Sequence, residues 1–207
     1  MHEHWIRIAM PLRRTAPHGA PGTSVSPGAY VLLMRDRRQI LDTLAEQRRE
    51  LERRYRAFPD DVVERPCTES EADVDVRWTP KDHLAHLLRV EVAFLAMARR
   101  VVDGDTTSRA LGPEGTSRED VLARVHRDNE RHVESLRDRS VEDLLRELAT
   151  AREQTLTFVD GIDDDQLDLA IPGAPWADGT IGGVLAANAG HELQHLSWVD
   201  EGLAATS

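Results

Sequence analysis

Apolar positions along the chain recur at steps of three and four residues over several long stretches, the period of helices with one buried face. From about Val31 to Phe58 the stripe runs through Leu41, Leu44, Leu51, Tyr55 and Phe58, with Arg and Glu elsewhere, and Pro59 ends it. Thr79-Pro80 supplies an N-cap and a first-turn proline for a helix to about Val102. Its inward line is His83, His86, Val90, Ala93 and Met97, flanked by Leu84, Leu87, Phe94 and Leu95. Ser117 caps a segment with Val121, Val125, Asn129, Val133 and Leu136 at helical spacing. Ser140 caps another, with Leu144, Leu148, Ala151, Thr155 and Phe158, ending near Gly161. Asp163 to Leu167 reads as a short turn of helix, and Pro172-Gly173-Ala174-Pro175 breaks the chain. Thr180 then caps a last helix whose seam is Ile181, Val184, Asn188, His191, His195 and Trp198. No alternating strand run, Gly-rich phosphate loop or internal repeat interrupts this order. The expected architecture is all-α: a four-helix bundle with an extra helical segment in a long crossover.

Residues 1–30, with Pro11, Pro17, Pro21 and Pro27 and no sustained period, read as a disordered tail, leaving 31–207 as the helical domain. The tail is Arg-rich but lacks the apolar segment of a secretory signal, so a tail, or translated sequence upstream of a start near Met34, is expected. His2, His4 and His18 fall in it and receive no role. Residues 59–77 read as an acidic loop.

Composition narrows the partners. The chain has 207 residues, 40% apolar and 30% charged, enough for one domain with a single core. Its formal net charge of -11 argues against a nucleic-acid partner, which calls for clustered Lys and Arg, and does not favour an anionic membrane. No apolar run approaches the roughly 20 residues that span a bilayer. A lone cysteine, Cys67, excludes an internal disulfide and a cysteine zinc cage, and a reducing cytoplasm is the expected compartment. Acidic neighbours argue against Cys67 as a nucleophile. Nearly all basic residues are Arg, with Lys81 the only lysine, the mark of a GC-rich bacterial genome.

The chemistry sits in the histidines. His191 and His195 are one turn apart on a core seam, so both project from one side of the last helix and can grip one ion. A buried polar group without a partner costs about 1–3 kcal/mol, so three inward histidines need carboxylates, water or a metal. Three imidazole ligands with an open position is the arrangement of catalytic zinc, and imidazole also suits nickel or iron(II). His126 and His132 lie on a highly charged segment and read as surface groups. His191-Glu192-Leu193-Gln194-His195 also spells the zinc-peptidase motif. Too little chain follows it for the downstream ligands of that class, and Glu192 is rotated about 100° from His191 around the helix, toward a neighbour.

Trp78-Thr79-Pro80-Lys81-Asp82-His83-Leu84-Ala85-His86-Leu87, with Glu91 following, resembles the second helix of the DinB/YfiT-like superfamily. Arg139 to Leu145 resembles the start of its third helix, and Trp176-Ala177-Asp178-Gly179-Thr180 followed by His191-x3-His195 resembles its last. The resemblance covers roughly residues 34–203. It implies an up-down-down-up bundle, often dimeric, holding a divalent metal with one histidine of the second helix and two of the last: His86, His191 and His195. Zinc or nickel is expected first, then manganese or iron. His83 matches no ligand position and is expected to flank the site. The last helix departs from the mycothiol-dependent maleylpyruvate isomerase branch, where a Glu takes the first of the two late positions. Several members of the superfamily use mycothiol or bacillithiol, so the resemblance implies a metal-dependent S-transferase or isomerase working on a small-molecule thiol and an electrophile. A non-enzymatic metal-binding or stress-response bundle is the alternative. Asn188, one turn before His191, is the candidate cofactor or substrate contact, and a homodimer is implied.

Overall fold

The computed structural model describes residues 36–206 apart from positions 74, 111 and 114, so the expected tail at 1–30 lies outside the described residues. Chain order is α1 (Arg37–Ala57), a single turn α2 (Asp60–Val63), β1 (Thr68–Glu69), β2 (Arg77–Trp78), α3 (Pro80–Val102), α4 (Arg118–Ser135), α5 (Val141–Gly161), a 3-10 turn (Asp164–Asp168) and α6 (Ile181–Ala205). Each long helix begins where a side chain can satisfy its open N–H groups. Asp36, Thr79, Ser117, Ser140 and Thr180 all accept from a backbone N–H of the first turn. At Thr79 the cap is reciprocal, with Asp82 returning the bond to the Thr79 backbone N–H.

Helices α1, α3, α5 and α6 form the bundle, and α4 is the extra segment of the crossover, packed on α3. Early residues of α1 meet early residues of α6 (Ile40 with Gly182), and late meets late (Arg54 with Asp200), so these two run parallel. Arg37 reaching Ile162 and Arg56 facing Glu142 make α1 and α5 antiparallel. His83 beside His195, and Glu91 beside Asn188, make α3 antiparallel to α6. The topology is therefore up-down-down-up.

The core is in two apolar parts. One gathers Ile40, Leu44, Met97, Val159, Ile181 and Leu185; the other gathers Leu51, Leu84, Leu87, Leu144, Leu148 and Leu196. Between them lies a charged layer, with one residue from each bundle helix. Arg48, Glu91, Arg152 and Glu192 have side chains 5%, 1%, 2% and 1% exposed. Arg152 grips Glu91 through Nε (3.0 Å) and Nη2 (2.8 Å), and its Nη2 also donates to Glu192 (2.9 Å). Arg48 donates to Glu192 through Nε (3.1 Å) and to the Leu148 carbonyl. Thr155 and Asn188 complete the Glu91 carboxylate. Burial alone would raise the Glu91 pKa, but Arg152 and Arg48 hold it below the ordinary carboxylate range. Its contribution to stability is thus complete above the ordinary value near 4.5 and is lost as the pH falls below it.

The expected acidic loop contains a minimal hairpin. β1 pairs antiparallel with β2, Thr68 opposite Trp78, and Cys67 N–H donates to the Trp78 carbonyl at 2.8 Å. Two-residue strands give too few positions for alternation to register in a sequence. The hairpin lies against α6 at Gly202, where a Cβ would come within 2.2 Å of the Cys67 carbonyl oxygen.

Removing one member of the charged layer leaves a buried charge without compensation. Arg152→Met is expected to cost about 3–5 kcal/mol in urea denaturation, against about 0.5–2 kcal/mol for the cap substitution Thr79→Ala.

Candidate metal centre and its cavity

Helices α3 and α6 cross with their histidines facing. His86, His191 and His195 each offer a ring nitrogen, and these three atoms lie within 4.8 Å of one another. His195 Nε2 and His191 Nε2 are 2.9 Å apart. A tetrahedral ion with bonds of about 2.0–2.1 Å needs such nitrogens about 3.3 Å apart, so small side-chain adjustments suffice. Burial pushes His191 down to about 3 and holds His86 and His195 well below the usual imidazole value. Neutral imidazole is the form that ligates metals, and the donor set fits a divalent ion of zinc or nickel type.

His83 lies beside these three, with a role the sequence did not specify. Its Nδ1 is 2.7 Å from His195 Nδ1, and its Nε2 is 2.9 Å from Thr68 Oγ1 on β1. If His195 presents Nε2 as a ligand, its Nδ1–H donates to His83, and His83 Nε2–H donates to Thr68. The hairpin therefore fixes the rotation of a candidate ligand through one intermediate ring. Trp78 closes the same side, its ring 5.4 Å from that of His83 and 5.3 Å from that of His86.

Glu71, just after β1, was not singled out by sequence because nothing in an irregular acidic stretch marks one Glu over another. Its Oε1 lies 3.6 Å from His86 Nε2 and accepts no hydrogen bond among the described residues. Asn129 of α4 donates to its Oε2 at 2.8 Å and accepts from Arg89 Nε at 2.9 Å. Burial pushes the Glu71 carboxyl up to about 8, against the lowering effect of the Asn129 bond. Glu71 and His191 line a cavity of about 410 Å³ between α3 and α4. His126 also lines it and is half-buried, which corrects its reading as a surface group.

Two residues go elsewhere. Asn188 is 2% exposed, donates to Glu91 at 2.7 Å and belongs to the charged layer; the cavity wall does not include it. Glu192, the would-be general base of a peptidase, accepts from Arg48 and Arg152 in that same layer.

Residues 69–199 match the DinB superfamily. The chain belongs to that superfamily. Among solved structures, the colibactin self-resistance protein ClbS, determined in complex with a dsDNA, is similar to this DinB protein. The TM-score is 0.59 at 14% sequence identity, covering 81% of this chain and 94% of that one. Among curated proteins no relative matches. The ClbS complex overturns the exclusion of nucleic acid as a partner. That exclusion rested on net charge, which is a sum over the whole surface, whereas a polyanion responds to the local field. No helix among the described residues is long and apolar enough to cross a membrane.

Cys67 is 3% exposed, and burial pushes its thiol up to about 11. The native DinB protein is therefore expected to resist an aromatic disulfide reagent at pH 8 and to release one thiol equivalent in denaturant.

Proposed function

We propose that this DinB protein is a divalent-metal-dependent S-transferase or isomerase acting with a low-molecular-weight thiol of the mycothiol or bacillithiol type. His86, His191 and His195 are the metal ligands. The observation that carries the reading is the convergence of three buried neutral imidazoles, one of which, His191, also lines the neighbouring cavity. A bound divalent ion supplies Lewis acidity that favours the thiolate of an incoming thiol. The chain's own cysteine is buried, and an external thiol supplies the sulfur in this reading.

The protein groups have separable tasks. His83 and Thr68 orient His195, and the layer at Glu91 and Glu192 holds α3 and α6 in register beneath the ligands. Glu71 stands at the cavity wall with its Oε1 3.6 Å from His86 Nε2. In its ionised form it takes the proton of the thiol S–H on Oε1; the sulfur lone pair forms the new bond to the electrophile as the bond to the leaving group breaks, and that proton passes from Oε1 to the leaving group.

Purified protein is expected to hold about one divalent ion per chain by elemental analysis, and the His86/His191/His195→Ala variant none while retaining its helical circular dichroism. Equal metal content in the two would refute the ligand assignment. His83→Ala is expected to lower metal affinity about 10–100-fold, with ligand geometry loosened but no ligand lost. Thiol consumption with monobromobimane or chlorodinitrobenzene separates the enzyme from a metal-binding bundle without catalysis, which binds the ion and consumes nothing. DNA contact is a second reading, favoured by the duplex in the ClbS complex. Retention of a labelled duplex at about 50 mM salt, lost near 200 mM, would support it.

A further inference from the structure

The cavity beside the histidines has a charge opposite to that of the protein. The chain carries a net charge of -11, yet Arg89, Arg100 and Arg124 all line this one space. The wall carries two acids against these three arginines, and both acids have partners: Asp128 is paired with Arg131, and the Glu71 carboxylate accepts from Asn129. Arg89 is built in: its Nε is held by Asn129, itself 5% exposed, which fixes the plane of the guanidinium. Arg124 packs over Gly112, where a Cβ would come within 2.5 Å of its Nη2.

The remaining wall is apolar and aromatic. Phe94 and Trp176 meet with ring centroids 4.8 Å apart, and Met97 and Leu122 extend the surface. Trp176 is only half-buried, and the next residue, Ala177, adopts φ +50°, a conformation unfavourable for a residue with a Cβ. Strain of this kind persists where surrounding structure enforces it, and here it sets the turn that lays the indole against Phe94. About 410 Å³ lies within the range of small-molecule sites, which pair an apolar body with a few placed polar groups.

We propose that this cavity binds a small organic anion with a flat apolar body. Its carboxylate, sulfonate or phosphate meets the guanidinium groups of Arg89, Arg100 and Arg124, and its ring lies along Phe94 and Trp176. Because His191 and Glu71 share the wall, the same molecule presents its reacting end to the histidines; that last clause rests on the function proposed above, and the anion site itself does not. The electrophile or the thiol is thereby assigned a class: an acid with an aromatic or conjugated body.

The test uses a series of probes of one shape and different charge, 2-naphthoate, 2-naphthylmethanol and 2-naphthylmethylamine, followed by tryptophan fluorescence and calorimetry on the full chain. All are run in excess chelator, so that no metal attracts the carboxylate. The expected order is naphthoate tighter than the alcohol by about tenfold or more, with the ammonium weakest. Arg100 is exposed, so Arg100→Gln should fold normally, and it should weaken naphthoate by about tenfold while leaving the alcohol unchanged. Equal binding of the three probes to the wild-type chain overturns the proposal without recourse to any variant. So does an Arg100→Gln protein that binds naphthoate undiminished. A short DNA duplex that displaces naphthoate, and is itself weakened by Arg100→Gln, would reassign the arginines to nucleic acid. The His86/His191/His195→Ala variant separates the two claims. Anion preference retained there supports the cavity whatever becomes of the metal centre, and a wild-type protein that holds its metal as purified but is indifferent to probe charge in chelator removes the cavity proposal alone.

Discussion

Four charges buried where four helices meet set the terms for everything else in this protein. Arg48, Glu91, Arg152 and Glu192 come one from each bundle helix, and they are almost wholly shielded from water. Taking such groups out of water costs several kcal/mol each, which only close pairing repays. Each guanidinium is therefore committed to a carboxylate and to a helix carbonyl, Leu44 for Arg152 and Leu148 for Arg48. Apolar side chains can slide along one another by a turn at modest cost. A layer of paired charges cannot, because a shift leaves an ion unpaired, so this layer specifies the register of all four helices.

Register is what brings the three histidines together. His191 is adjacent in sequence to Glu192 and so nearly level with the layer, while His195 and His86 lie three and five residues from Glu192 and Glu91, about one turn above it. Locking Glu192 and Glu91 against common arginines places the two helices so that their imidazoles face. The same helix α6 thus uses one side of a short motif for structure and the next for chemistry. Its Glu is consumed in an ion pair, and the catalytic reading of the His-Glu-x-x-His spelling fails for that physical reason.

On the opposite side of the histidines, parts of the chain that do not belong to the bundle complete the site. The hairpin brings Thr68 to His83 and Glu71 to His86, and α4 brings Asn129, Arg124 and His126 to the cavity. A helical frame holds the histidines, and a loop and a crossover helix supply their surroundings.

The helices, the caps at Thr79, Ser117, Ser140 and Thr180, and most of the inward seam positions followed from the sequence, because apolar periodicity and capping chemistry are local; Ala93, expected inward, is exposed. The pairing of His191 and His195 was legible for the same reason: i, i+4 spacing fixes a common side. The family resemblance added His86. Contacts between distant segments were not legible. Arg48 and Arg152 could not be told from the other arginines of their helices, since nothing local distinguishes an arginine facing water from one facing two buried carboxylates. Asn188 sat on the right seam, yet a neighbouring helix claimed its amide. Glu71, the His83–Thr68 link and the gathering of three arginines in an acidic protein all arise from segments that meet only after folding. The sequence by itself determined which surfaces are inward and which residues can ligate. Tertiary structure alone decided which of the inward polar groups pair with each other and which remain to meet a ligand, because burial and partnership belong to the packed whole.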